Sequence, residues 1–342
     1  MKQLLASLLG LFCFIATAPG SIAQAPLQNV ILGHSGGAGS LGNLRRAIER
    51  DKIWEKYGLS VKSVYFSSGG VLTQAMAGGN IAGSESEVPG MLNLAVSGVL
   101  DLKLVTVTIN KIEHVFVVRK NVAKPEDLKG KRLAVSRIGS ASDTVTRMAL
   151  KSWKIDPDKE VTLLQSGNTP TRMTALAAGH VDGALVSPES VHKVMASGCC
   201  RILADLSELP MDYARYGYVF PTAWIKTNRD VLRRLLRAYL ESIAIFRTRP
   251  KAAYAGFEEE GIKDPAIQKE IYEWMLKNMR EYPVPEPNGI QNVLDSLTNP
   301  NARGVKPAAI MDSSLWKESK NPALSTSFTG GRANSGQKTI RG

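Results

Sequence analysis

Glycine- and serine-rich turns are the groups in this sequence best suited to holding a small molecule. In "RLAVSRIGSASDTVTRMALKSW" (132–153) an apolar segment runs into a turn from Ser136 to Asp143 and then into a helical pattern. Ser140 and Asp143 form the S-x-x-[DE] capping box that opens a helix. The same hydroxyls, with the free amides of a first helical turn, also suit an anionic group. Both roles stay open, and they are compatible, since a cap fixes the amides that a ligand would use.

Other chemistry is not in view. The sequence contains no H-E-x-x-H, G-x-S-x-G, Walker A or Cys–His nucleophile pattern. His34, His114, His180 and His192 have no metal-ligand spacing, and no metal or cofactor is expected. Cys199 and Cys200 are adjacent and cannot staple distant parts of a fold. They read as two small apolar side chains at the start of a strand, with a vicinal disulfide or a metal thiolate as the alternatives.

The first 23 residues read as a signal peptide: Lys2, the short apolar core "LLASLLGLFCFIA", and small residues before a cleavage expected after Ala23. Phe12 is too bulky for Cys13 to be a lipoprotein anchor. No later segment has the roughly 18 apolar residues of a membrane span, so an exported protein without stable membrane insertion is expected. The net charge of +12 weakly favours an anionic ligand. Export, 6% aromatics and the lack of basic runs interleaved with aromatics argue against nucleic acid.

The turn has a counterpart. "VILGHSGGAGSLGNLRRAIERDKI" precedes "RLAVSRIGSASDTVTRMALKSWKI" by 102 residues, matching Gly37 to Gly139 and Ser40 to Ser142. Each copy is followed by a strand, a Ser-Gly turn (Ser67 to Gly70; Ser166 to Asn168) and a short helix ending at glycine (Gly78; Gly179). A further strand and helix end at Gly98 and Gly198. Alternating strands and helices predict an α/β fold of two similar lobes, each a mainly parallel sheet flanked by helices. Ligands of such sheets sit beyond the carboxyl ends of the strands, where these turns fall. Later, 228–250 reads as a long helix capped by Asn228 and stopped by Pro250, with helices near 265–280 and 288–298. The basic, Ser/Gly/Thr-rich tail, 321–342, is expected to be disordered.

Several stretches carry a family resemblance: "IWEKYGLSVKSVYFSSGG" with "QAMAGGNIAG", "EDLKGKRLAVSRIGSASD", "RMTALAAGHVDGALVSPE", "GIQNVLDSL" and "IMDSSLWKE". Through them the chain resembles periplasmic solute-binding proteins of the nitrate/sulfonate/taurine type, which share a superfamily with thiamine-pyrimidine-precursor proteins. The resemblance implies the two-lobed type II periplasmic binding protein fold, with lobe one at 27–115 plus 222–320, lobe two at 116–221, and a ligand cleft between them that closes about a hinge. The crossing strands would be His114 to Lys120 and "YGYVFPTAWI". It also implies a periplasmic, monomeric, non-catalytic protein that delivers a small organic, acidic solute to a membrane ABC permease. A thiamine-pyrimidine enzyme or a ligand-sensing module on the same fold are the alternatives.

Carried onto this sequence, the family's binding turns fall on Ser35, Gly36 and Gly37; Ser67, Ser68 and Gly69; Ser84 and Glu85; Gly139, Ser140, Ser142, Asp143 and Thr144; Ser166, Gly167, Asn168 and Thr169; and Ser187. Arg137, in the turn, is a candidate partner for an anion, as is Arg172, which opens the helix after Thr169-Pro170. Arg45 and Arg147 read as surface charges, while Trp54, Tyr57 and Trp153 read as core. Ser84-Glu85-Ser86-Glu87 departs from the family, many of whose members carry small neutral residues there. A carboxylate in the cleft would repel an anion, or would suit a cationic or hydroxyl-rich solute, whereas the i,i+2 spacing also fits a solvated rim.

Overall fold

Short apolar segments that end in turn residues pair into two five-stranded sheets in the computed structural model. It describes residues 26–319 apart from 35–40, 67–68, 113, 210 and 260. The expected signal peptide and the tail expected to be disordered lie outside the described residues.

The first sheet takes β1 (Gln28–His34), β2 (Leu59–Tyr65), β3 (Gly83–Glu87) and β4 (Leu102–Leu104). The second takes β5 (Val115–Arg119), β6 (Arg132–Val135), β7 (Thr162–Gln165), β8 (Gly183–Val186) and β9 (Cys200–Asp205), after which β10 (Tyr216–Pro221) returns to the first. The orders are β2-β1-β3-β10-β4 and β7-β6-β8-β5-β9. Adding five to β1–β4 turns one into the other, with β10 and β5 in equivalent places. Both of these strands run antiparallel to their neighbours, while β1, β2 and β3, like β6, β7 and β8, are parallel. The sequence repeat is thus a repeat of topology. The two antiparallel strands are those whose chain has just crossed from the other sheet.

Helices α1 (Gly42–Arg50), α2 (Ile53–Lys56), α3 (Gly69–Ala77) and α4 (Val88–Val96) belong to the first half. Those of the second are α5 (Ala141–Ser152), α6 (Thr169–Ala177) and α7 (Pro188–Ala196). α3 and α6 end alike: Asn80 N–H bonds Ala75 O beside Gly79 at φ +72°, and His180 N–H bonds Ala175 O beside Gly179 at φ +77°. The repeat is 100 residues here, so Gly79, not Gly78, matches Gly179.

The remaining helices are α8 (Thr222–Thr227), α9 (Arg229–Thr248), α10 (Pro250–Glu259), α11 (Pro265–Asn278), α12 (Pro287–Ser296), α13 (Pro307–Ile310) and α14 (Ser314–Ser319). Asn228 does not cap α9; its side-chain amide donates back to Trp224 O at 3.1 Å. A cap contributes about 1 kcal/mol, whereas each of Leu232, Leu236, Ile243 and Phe246, buried along α9, contributes about 1.5–3 kcal/mol. Packing decides that helix. Pro250 ends α9 and also opens α10, which the sequence pattern had not signalled.

One apolar cluster holds β1, α1 and α9–α11, with Trp54 in it. A second runs without a break from Leu72, Met91 and Leu104 of the first half through Phe116, Leu133 and Val145 of the second to Ile290 and Val293. Trp153 meets Phe116 edge-on, ring centroids 5.2 Å apart. Cys199 and Cys200 are joined to each other by a disulfide, so the pair is not two free apolar thiols.

Candidate functional site

The Gly139–Thr144 turn is wired mainly to itself. Ser140 Oγ accepts from Asp143 N–H at 3.4 Å, and Ser136, Ser140 and Ser142 form a hydroxyl triangle with sides of 2.8–3.1 Å. Asp143, with no exposed surface, accepts from Gly139 N–H and from Arg147 Nε, each at 2.8 Å. Arg147 reaches Asp158 as well, at 2.5 Å. It is therefore not a surface charge but a buried clamp on the turn. Ser142 and Thr144 are buried, and Arg137 is exposed. Gly139 stands at φ +79°, and a Cβ there would lie 2.8 Å from Asn93 Nδ2. Asn93, on α4, donates to Gly139 O at 3.2 Å, so the turn meets the other half of the molecule.

At the end of β7, Ser166 N–H bonds Val135 O at 2.8 Å, and Gly167 turns the chain at φ +75°. Asn168 caps α6 by accepting from Thr171 N–H at 3.1 Å. Thr169 Oγ1 accepts from Arg172, which is 4% exposed. Ser187 sits at the N-terminus of α7, its Oγ 3.5 Å from that of Ser190.

In the first sheet the alternation of β3 sends Ser84 and Ser86 one way and Glu85 the other. The two serine hydroxyls are 2.6 Å apart and buried. Glu85, 5% exposed, accepts from Arg45 at 3.1 Å and from Tyr239 OH at 3.0 Å, and Tyr239 OH also meets Thr108 at 2.8 Å. Burial pushes the Glu85 carboxyl above its ordinary value, opposed by Arg45. Neither a solvated rim for Glu85 nor a surface role for Arg45 fits this geometry. Ser35, Gly36, Gly37, Ser67 and Ser68 lie outside the described residues; Gly69 opens α3.

Four further side chains gather where the halves meet. Arg215, just before β10, donates to Glu87 Oε1 at 2.6 Å and to His114 Nε2 at 3.1 Å, and its guanidinium lies 4.3 Å from the Tyr216 ring centroid. Burial first, then Arg215 and Arg172, hold the His114 imidazole well below its usual range. His114 looked isolated in the sequence and Arg215 carried no pattern. Each directly precedes a crossing strand, the one signal that would have drawn attention to them.

A fold of two matched sheets linked by two crossing strands is that of the two-lobed periplasmic binding proteins. Solved structures bear this out. The alkanesulfonate-binding protein SsuA of Xanthomonas axonopodis pv. citri, bound to MOPS, superposes with a TM-score of 0.65 at 18% identity, covering 80% of this chain and 93% of that one. The nitrate-binding protein NrtA of Synechocystis PCC 6803 gives 0.67 at 13% identity, covering 85% and 88%. In sequence, residues 53–253 match the NMT1/THI5-like family, and the chain belongs to that family. The taurine-binding periplasmic protein of Escherichia coli K12 is 30% identical over 146 residues, 42% of this chain. The match spans less than half of that relative, 43% of its length.

Proposed function

We propose that this chain is an exported, periplasmic solute-binding protein, catalysing nothing itself, that captures a small organic anion between its lobes and delivers it to an ABC permease. The observation that carries this reading is the matched pair of sheets, whose parallel strands end in turns that open helices α4, α5, α6 and α7. Helix N-termini favour anions, and facing turns from two lobes enclose a ligand from both sides. Taurine and sulfonate binding by relatives supports an acidic solute. Among the described residues no helix is long and apolar enough to cross a membrane. We take the first sheet, with β10 (Tyr216–Pro221) included, as lobe one and the second sheet as lobe two, so the expected return at 222 moves to the start of β10. The main chain of Gly139–Thr144 and Ser166–Thr169, and Ser187, is lobe two's share of the site.

A thermal-shift screen of sulfonates, carboxylates, pyrimidines and aromatic acids tests the reading. A ligand at a hundredfold excess over its Kd stabilises by about 2.7 kcal/mol. An acidic hit supports the reading, and a screen in which only pyrimidines bind, or nothing does, opposes it.

A further inference from the structure

Arg172 differs from every other deeply buried ion among the described residues. Glu85 has Arg45 at 3.1 Å, Asp143 has Arg147 at 2.8 Å, and Arg215 has Glu87 at 2.6 Å. Arg172, 4% exposed, has no carboxylate within ion-pair distance among the described residues. Its Nη1 donates to Gly167 O at 2.8 Å, and its Nη2 to Thr169 Oγ1 at 3.0 Å and Leu185 O at 3.3 Å. All three acceptors are neutral, and Nε is buried with no partner. A guanidinium withdrawn from water without a counter-ion is costly, and an anion arriving beside it removes that cost.

Its location matches a ligand's. Arg172 lies in the first turn of α6, at the carboxyl ends of β7 and β8. It also lies within electrostatic reach of Glu87 and Arg215, which come from the other sheet. Of these, Glu87 is 30% exposed and Arg215 only 1%. Three apolar side chains beyond the carboxyl ends of β2 and β6 stay in water: Tyr65 at 51%, Val71 at 44% and Ile138 at 52% exposure. Exposed apolar surface combined with a polar anchor is the usual make-up of a small-molecule site.

We propose that Arg172 is the anion anchor of this site, taking the headgroup of a monoanionic solute whose apolar body lies against Tyr65, Val71 and Ile138. The proposal rests on the solute-binding reading above. A single uncompensated cation calls for one negative charge, and the nearby Glu87 carboxylate resists a second. Sulfonates and carboxylates fit; phosphate dianions do not.

Calorimetry on the full mature chain, with methane-, butane- and benzenesulfonate, the matching carboxylates, phenyl phosphate and neutral benzenesulfonamide, tests this. Wild-type protein is expected to bind benzenesulfonate at least tenfold more tightly than benzenesulfonamide or phenyl phosphate, and more tightly than methanesulfonate. Arg172→Gln should lose at least tenfold for the tightest monoanion, since truncating one partner of a buried charge pair has large effects, and Arg172→Lys should recover part of it. A smaller loss in a folded Arg172→Gln overturns the anchor while leaving solute binding intact. Should that variant not fold, equal wild-type binding of the sulfonate and the sulfonamide does the same. Wild-type protein that binds no member of the panel overturns the anionic-solute reading itself.

Discussion

The Arg215 guanidinium reaches His114 Nε2 at 3.1 Å, joining the residues that precede the two crossing strands. Arginine can only donate, so Nε2 must accept and the imidazole must be neutral, with its proton on Nδ1.

Holding His114 neutral makes stability depend on pH in a stated direction. Its folded pKa is depressed well below the ordinary 6.5, so on acidification the unfolded chain takes up a proton that the folded one refuses. The contribution is full above the unfolded pKa and is lost as pH falls below it. Urea titrations at pH 6.5 and 5.5 should show wild type losing about 1 kcal/mol more than His114→Gln. Equal losses would mean that His114 titrates normally in the folded state.

Glu85 should show the opposite trend. Burial raises its folded pKa, so on alkalinisation the unfolded chain ionises first. Stability from this group is full below about pH 4.5 and declines as pH rises toward the folded value. The stability of Glu85→Gln relative to wild type should therefore increase between pH 4.5 and 7 in paired urea titrations. A relative decrease would mean that Arg45, 3.1 Å away, outweighs burial.

The Gly139–Asp143 turn should divide stability from affinity. Ser140→Ala removes a hydroxyl that accepts from Asp143 N–H and should cost about 0.5–2 kcal/mol. Asp143→Asn removes one of the two carboxylates on Arg147 and leaves it Asp158, so it should cost about 1–3 kcal/mol. Solute affinity in Ser140→Ala should stay within threefold of wild type, because the Ser140 hydroxyl already serves Asp143 N–H and the hydroxyls of Ser136 and Ser142. A tenfold fall in affinity with unchanged stability would assign the hydroxyl to the ligand.

What could be read from the sequence was local. The Ser140–Asp143 cap was legible because both partners lie within one turn. The two lobes were legible because a strand–turn–helix unit recurs, and the recurrence became the shared strand order. The pairing of Glu85 with Arg45, 40 residues apart, was not, since it depends on how α1 settles on β3. Likewise Arg147 passed for a surface charge because its second partner, Asp158, lies beyond the end of its helix. The cluster of Glu87, His114, Arg172 and Arg215 draws on four separate elements that meet only where the lobes do. Composition could signal none of them as a group.

Small-angle scattering of the mature chain, with and without a saturating amount of the tightest-binding monoanion, tests the central claim most directly. Hinge closure on a captured solute predicts a fall in the radius of gyration that is absent with a non-binding analogue such as benzenesulfonamide. Saturable binding with an unchanged scattering curve would contradict a protein that works by closing its lobes on its ligand.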